Sequence, residues 1–479
     1  MALIIEQHPL YNGLPVGQQL VFTVRDSYVV GTQYKVKYIA IVQAGQVFSG
    51  TGPGSMVTIG TFKTTPNNAG SGIFDFRPVI ENEVNPDNEP ERSSATFSKP
   101  SYKGKDYLNE GTSQFRFPLH IVDKWSCSAE SVRFIKIYFY TEAAETATGS
   151  VTRSTNAVKS SLLTVINGVI QHTDVLKLVN NKYGYNMTPF APNSGAGSAV
   201  TSALSNAPKT QYARISDYGT LPFLNAWWDA TSEYTITTAT ITLLDSNNSV
   251  LATTVVDTSM NNGGFSLNTN APAKLLYFGC FPANLNNWWT DFATHKNNIA
   301  EIQVSTNIGG TQSSETYKIK IICDNEKGYE GIRLCWLNQW GAWDYYTFNK
   351  KSVRSTQTNR ETYTQLGGTW NQSTFQIAGY KGGKKNFRVN ATERITMNTS
   401  YLNEAESIWM EELINSTEVY LINGYDGTES SPYETITNKY VEPVRVTTSS
   451  YTRKTIANDK LMQYTIEVEK SKTKRTQSV

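Results

Sequence analysis

Two tryptophan pairs sit beside an acid: Trp227 and Trp228 with Asp229 in "WWDATSE", and Trp288 and Trp289 with Asp291 in "NNWWTDF". Indole faces next to a carboxylate can hold a sugar ring, stacking on its C–H groups while the acid takes its hydroxyls. Hydrolysis of a glycosidic bond would need two carboxylates flanking it, and Glu404, Glu406, Glu411 and Glu412 cluster in one segment. Their spacing is that of the solvated face of a helix. A Trp-Trp pair can equally bury one ring in a core and cap a sheet with the other. Packing is the simpler reading of all six residues at the two pairs, and carbohydrate binding is the alternative.

Other catalytic patterns are missing from the sequence. The four histidines, His8, His120, His172 and His295, lie in separate segments, without the H-E-x-x-H or cysteine partners of a metal site. "GYKGGKK", residues 379–385, has the glycines and lysines of a phosphate loop but neither its Ser/Thr nor its spacing, so it reads as a tight hairpin turn. Cys127, Cys280, Cys323 and Cys335 are far apart and read as free thiols rather than a disulfide framework. No catalytic residue, metal or cofactor is expected, and the chain reads as a non-enzyme.

The densest aromatic stretch is "GIRLCWLNQWGAWDYYTFNKK", residues 331–351. Alternation puts Ile332, Leu334 and Trp336 on one face of a strand and Arg333, Cys335 and Leu337 on the other. Asn338 and Gly341 are the tolerant positions of a turn at "NQWG". A second strand then sets Trp343, Tyr345 and Thr347 opposite Asp344, Tyr346 and Phe348. Aromatic residues on both faces of this β-hairpin predict a central place in a layered fold or a subunit interface.

The elements around it are strands. Thr, Val, Ile and Tyr dominate, with 27 Tyr and 10 Trp among 479 residues, and Asn, Gly and Ser punctuate the apolar runs. "YKVKYIAIVQAG" alternates with period two, "TVINGVIQH" carries Asn-Gly between apolar runs, and "LLDSNNSVL" and "NIGGTQ" are hairpin turns. One segment is convincingly helical: "YLNEAESIWMEELINS" spaces Leu402, Ala405, Ile408, Trp409, Glu412 and Leu413 as a helix near 402–414, with acids at its N-terminal end. The expected fold is mainly β, built of multidomain antiparallel β-sandwich modules with one short helix in the last. The modules are an N-terminal β domain (1–188), a linker of small residues (189–206), a middle sandwich (207–327) and a C-terminal β-rich domain (328–479). The polar segment Asn85 to Lys105 reads as a long surface loop.

A net charge of +2, from 43 basic and 41 acidic residues, supplies no field to attract nucleic acid or an anionic membrane. The N-terminus lacks the basic n-region of a secretory signal, and no run approaches the ~20 apolar residues that span a bilayer. The chain is expected to be soluble and made in the cytosol.

"RLCWLNQWGAWDYYTF" has the form R-L-x-W-L-N-x-x-G-x-W-D-Y-Y-x-F. It resembles a signature of large β-rich virion proteins of tailed bacteriophages that infect Bacteroidota, the crAss-like group included. "YKVKYIAIV" with "PNNAGSGIFDFRPVIENEV", "TVINGVIQH", "LSNAPKTQYARISDYGTLPFLN" and "SYTRKTIANDKLMQYTIEVEKS" resemble further segments of those proteins, so the similarity touches Tyr34 to Ser471. It implies a structural protein of the phage tail, neck or baseplate, located in the virion and repeated as a homo-oligomeric ring around the tail axis. Its implied partners are its own copies and other tail or neck proteins; the alternative partner, a host surface glycan, rests on the tryptophan pairs beside Asp229 and Asp291. Arg333, Trp336, Leu337, Asn338, Gly341, Trp343, Asp344, Tyr345 and Tyr346 are the residues that carry the signature.

Overall fold

The computed structural model describes residues 3–45, 48–49, 52–53, 56–86, 124–128, 131–169, 187–192, 200–225, 236–258, 275–322, 328–369, 373–422, 441–451 and 462–475. The fold is mainly β, with several antiparallel sheets and a few short helices. It divides into two compact units: one runs to Ile322 and also takes in Leu337–Tyr345 and Gly424–Ile436, and the other holds Cys323–Trp336, Tyr346–Asn423 and Thr437–Val479.

The first part of unit 1 contributes strands β1 (Ile4–Gln7), β2 (Gly13–Pro15), β3 (Val21–Arg25), β4 (Tyr34–Gly45), β5 (Val57–Thr64), β6 (Ser71–Asp75), β7 (Trp125–Ser128), β8 (Val132–Ala144) and β9 (Leu163–Ile166). Helices α1 (Ser27–Thr32) and α2 (Arg77–Ile80) are single turns between them. One sheet has the order β1-β3-β6 and another β2-β9-β8-β4-β5. Period-two alternation decides which side of β4 is buried: Tyr38, Ala40 and Val42 are sealed in the core while Lys35 and Lys37 stay outside. Those three residues pack with Phe22, Phe74, Phe76 and Phe139, where Phe74 and Phe76 stack at 5.5 Å.

The second part holds β10 (Thr210–Arg214), β11 (Leu221–Leu224), β12 (Thr238–Leu244), β13 (Val250–Asp257), β14 (Leu275–Phe278), helices α3 (Pro282–Trp288) and α4 (Thr290–His295), β15 (Glu301–Ile308) and β16 (Tyr317–Ile322). Its larger sheet runs β10-β16-β15-β12-β13. The turn after β12 is closed by Asp245, whose carboxylate accepts from the Asn247 and Ser249 amides at 2.8 Å, with Asn248 left-handed at φ 62°. The smaller sheet, β11-β14-β7, takes its third strand from the first part, and Trp125 of β7 joins the second core. The 189–206 segment, expected as a linker, is buried at Phe190, Ala191, Thr201, Ala203 and Leu204.

Unit 2 is one sheet and one long helix. The strands β17 (Ile332–Leu337), β18 (Trp343–Phe348), β19 (Ser352–Gln365), β20 (Gly383–Asn398), β21 (Val419–Ile422), β22 (Val441–Val446) and β23 (Thr465–Lys470), of which Leu337 and residues 343–345 are counted in unit 1, have the order β18-β17-β21-β22-β23-β20-β19. Helix α5 (Glu404–Asn415) starts at a capping box in which Asn403 and Glu406 each take the other's backbone N–H, at 2.9 Å both ways. It buries Ser407, Trp409, Met410 and Leu413. Ile408, placed on the apolar face by its spacing, is instead exposed, because the buried stripe runs through 409, 410 and 413. The expected loop at Asn85 to Lys105 lies, beyond residue 86, outside the described residues.

Candidate functional site

The signature segment folds as the β-hairpin β17–β18, and each of its marked residues has a packing or turn task. Ile332, Arg333, Leu334, Cys335, Trp336, Trp343, Asp344, Tyr345, Thr347 and Phe348 are all buried, and Leu337 is half-buried. Within unit 2, the Trp336 indole meets that of Trp409 from α5 at 5.1 Å between centroids, tilted by 43°. Tyr346 lies edge-on to Phe348 at 4.9 Å and to Trp409 at 6.1 Å. The Tyr346 hydroxyl accepts the Ser400 amide at 3.0 Å, which ties the hairpin to the entry of α5. Burial pushes that hydroxyl up to about 12, against the lowering effect of the Ser400 bond. Arg333 reaches along the hairpin, its Nη1 donating to Thr347 Oγ1 at 2.7 Å.

The turn belongs to unit 1. Asn338 organises it by accepting the Trp340 and Ala342 amides on Oδ1, each at 3.0 Å, while its Nδ2 donates to the Leu204 carbonyl at 3.0 Å. Trp340 packs at 5.2 Å on Phe190, and its indole N–H donates to Asn206 Oδ1 at 3.1 Å. Gly341 is left-handed at φ 77°, and a Cβ there would lie 1.9 Å from the Asn167 carbonyl oxygen. The Val169 amide donates to the Gln339 carbonyl at 2.8 Å. Two turns expected from the sequence, at Asn167-Gly168 and at Asn338 to Gly341, therefore dock on each other. The partner strand expected after Gly168 lies outside the described residues. Tyr345 faces the same unit, with the Thr220 hydroxyl donating to its own at 3.3 Å and Phe281 at 6.0 Å.

The Trp288–Trp289 pair sits on α3 and the break before α4, where the reading of a sheet cap gave no helix. Pro282 in the first turn of α3 is the local signal for one. Trp289 is in the second core and Trp288 packs against it, the rings stacking at 6.0 Å and 16°. The Trp289 indole donates to Asp291 at 3.3 Å, and Lys124 lies over the Trp288 ring at 5.3 Å. Both rings are thus engaged by protein groups. Trp227, Trp228 and Asp229 lie outside the described residues.

Glu404, Glu406, Glu411 and Glu412 all sit on α5, where Glu406 is committed to the capping box. Among the described residues no group of three or more His, Cys, Asp or Glu side chains could hold a metal ion, and no helix is long and apolar enough to cross a membrane. Cys280 and Cys335 are buried free thiols. "GYKGGKK" forms the returning end of a hairpin, with Gly382 and Gly383 left-handed at φ 96° and 80° and Lys384 and Lys385 exposed.

The turn at "GYKGGKK" is an expectation from the sequence, but the length of the hairpin it returns, β19–β20, and the 366–382 connection are not. The hairpin pairs continuously from Ser352–Met397 to Gln365–Gly383 with one irregularity after Glu361. Residues 353–362 and 383–387 are exposed on both faces. Its base is tied by charge: Glu393 meets Arg354 at 3.2 Å, Lys474 at 3.1 Å and Lys470 at 3.6 Å. Partial burial pushes the Glu393 carboxyl up, but the three cations outweigh it and hold the group below the usual carboxylate range.

Comparison with known protein families and with curated proteins finds no match. Among solved structures, the native conformation of E. coli alpha-2-macroglobulin is similar at a TM-score of 0.19 and 7% identity, over 82% of this chain and 21% of that one. A likeness at that score carries no argument about fold or function.

Proposed function

We propose that the protein is a non-enzymatic structural component of a phage virion, in the tail, neck or baseplate, repeated as a ring around the tail axis. The supporting observation is the hairpin β17–β18: the residues that resemble the virion signature are those committed to buried packing and to a turn that only glycine can close. A segment used in this way builds scaffold rather than a reaction centre. The carbohydrate-binding reading has less support, since Trp288 and Trp289 stack on each other and on protein partners.

The test is to find the protein in particles. Mass spectrometry of purified virions should detect it in many copies, and antibody labelling should decorate the tail or neck. A protein made during infection but absent from washed particles would refute the reading.

A further inference from the structure

The hairpin β19–β20 outruns the sheet that carries it. Strand β23 pairs with β20 only from Arg394 to Asn398, and the short strand Lys474–Arg475 adds pairs at Asn390 and Ala391. From Val389 outward, among the described residues, β20 pairs with β19 alone. Among the described residues the result is a two-stranded ribbon with open backbone edges, a form that offers N–H and C=O groups to another chain.

Its far end is apolar and basic. Leu366, Phe375, Ile377, Tyr380 and Phe387 are exposed, Ile377 at 83% and Tyr380 at 79%. Together these side chains expose on the order of 500 Å² of apolar surface. Around them stand Arg360, Lys381, Lys384, Lys385 and Arg388, against one acid, Glu361. Arg388 is paired to that acid, at 2.6 Å. Glycine shapes the end: a Cβ on Gly368 would strike the Phe375 ring at 2.1 Å, so this ring lies directly against the backbone.

The same chain carries a surface of complementary character. Helix α5 leaves Glu404 and Ile408 exposed one turn apart, with Glu411 on the same face and exposed Tyr401 just before the helix. From Thr399 to Glu418 the chain has five acidic residues and no basic one. We infer that the β19–β20 ribbon is an assembly arm whose basic, apolar end docks on the Tyr401–Glu404–Ile408 face of α5 in a second copy of this chain. Two different patches make the contact heterologous, and such contacts close into rings when the rotation between copies allows. The inference deepens the proposed assembly function and rests on it for the presence of neighbouring copies.

The experiment is sedimentation velocity on the full chain across a concentration series. Wild-type protein is expected to associate. Replacing residues 366–382 by Asn-Gly, which joins the paired Gln365 and Gly383 through a two-residue turn, is expected to leave a folded monomer. Lys384→Glu with Lys385→Glu should weaken association at least tenfold, as should Glu404→Lys, and combining all three should restore it. Association that survives loss of the arm end, a wild-type chain monomeric throughout, or arm-dependent association without charge-swap rescue would each overturn the inference. Virion labelling separates the two proposals. A labelled tail with arm variants that still associate removes the arm and leaves the function, whereas arm-driven association of a protein absent from particles does the reverse.

Discussion

Replacing Trp336 tests whether the signature hairpin is scaffold. Its indole is fully buried in unit 2 against Trp409. Truncation to alanine strips roughly 150–200 Å² of buried apolar area, worth about 4–5 kcal/mol at ~25 cal/mol per Å². That agrees with the ~3–5 kcal/mol found when buried large aromatic side chains are cut to alanine. The Trp409 pair should account for about 0.5–1.5 kcal/mol of this as a coupling in a double-mutant cycle. The indole Nε1 is buried with no acceptor among the described residues. Phenylalanine would lose area but also remove an unpaired donor that costs about 1–3 kcal/mol to bury, so Trp336→Phe should lie within about 1 kcal/mol of wild type. The assay is urea unfolding with an unchanged slope, read through hydrogen exchange of the β17 and β21 amides so that unit 2 is followed by itself. A near-neutral Trp336→Ala would show that the ring is not packed as described and would return the stretch to a ligand-binding reading. Equal losses for alanine and phenylalanine would mean that the indole N–H has a partner.

Gly341→Ala should destabilise unit 1 by about 2 kcal/mol or more, because the left-handed backbone and the Asn167 carbonyl both oppose a methyl group. Gly309→Ala, at φ 55° with no atom within 4 Å of the added carbon, should cost only about 1 kcal/mol; equal melting shifts would contradict the clash. Tyr317 and Tyr346 are both pushed by burial up to about 12 from an ordinary value of 10.0. A raised folded value means their contribution is complete below the unfolded pKa and is lost as pH rises through the folded one. Melting temperature should therefore fall between about pH 10 and 12, and less steeply in Tyr346→Phe; parallel profiles would refute the assignment. Glu393 has the opposite sign: its depressed carboxyl contributes above its ordinary pKa of 4.5 and loses that contribution as pH falls through the folded value. Acid melting curves should be flatter for Glu393→Gln than for wild type, and the difference should shrink in high salt.

Local signals in the sequence were legible where one face meets a core. The alternation at Tyr38, Ala40 and Val42, the turn at Asp245 to Asn248, the helix near 402–414 and the two-faced aromatic hairpin all follow from residue type and period. Pairing at a distance was not legible. Nothing around Trp125 announces that β7 will complete a sheet with β14, about 150 residues later, because backbone ladders are blind to side-chain identity. Strand β19 is hidden for a different reason: "SVRSTQTNRETYTQ" alternates polar with polar, and a period of two marks a strand by the contrast between its faces, so only the turn at "GYKGGKK" was legible. Helices α3 and α4, at 7 and 6 residues, are too short to show a period. Ile408 shows the limit of spacing alone, since a stripe one residue over satisfied the same pattern.

The membership of Leu337–Tyr345 in unit 1 has a consequence in time. Synthesis runs at about 5–20 residues per second, so the 23 residues from Ile322 to Tyr345 leave the docking sites of this turn open for roughly 1–5 s after the main stretch of unit 1 has been made. Through that interval the Val169 amide and the Leu204 carbonyl await Gln339 and Asn338, and the site of Trp340 beside Phe190 stands empty. A nascent chain halted in this window would show a surface that the finished protein never displays, and chaperones or proteases would find their opening there.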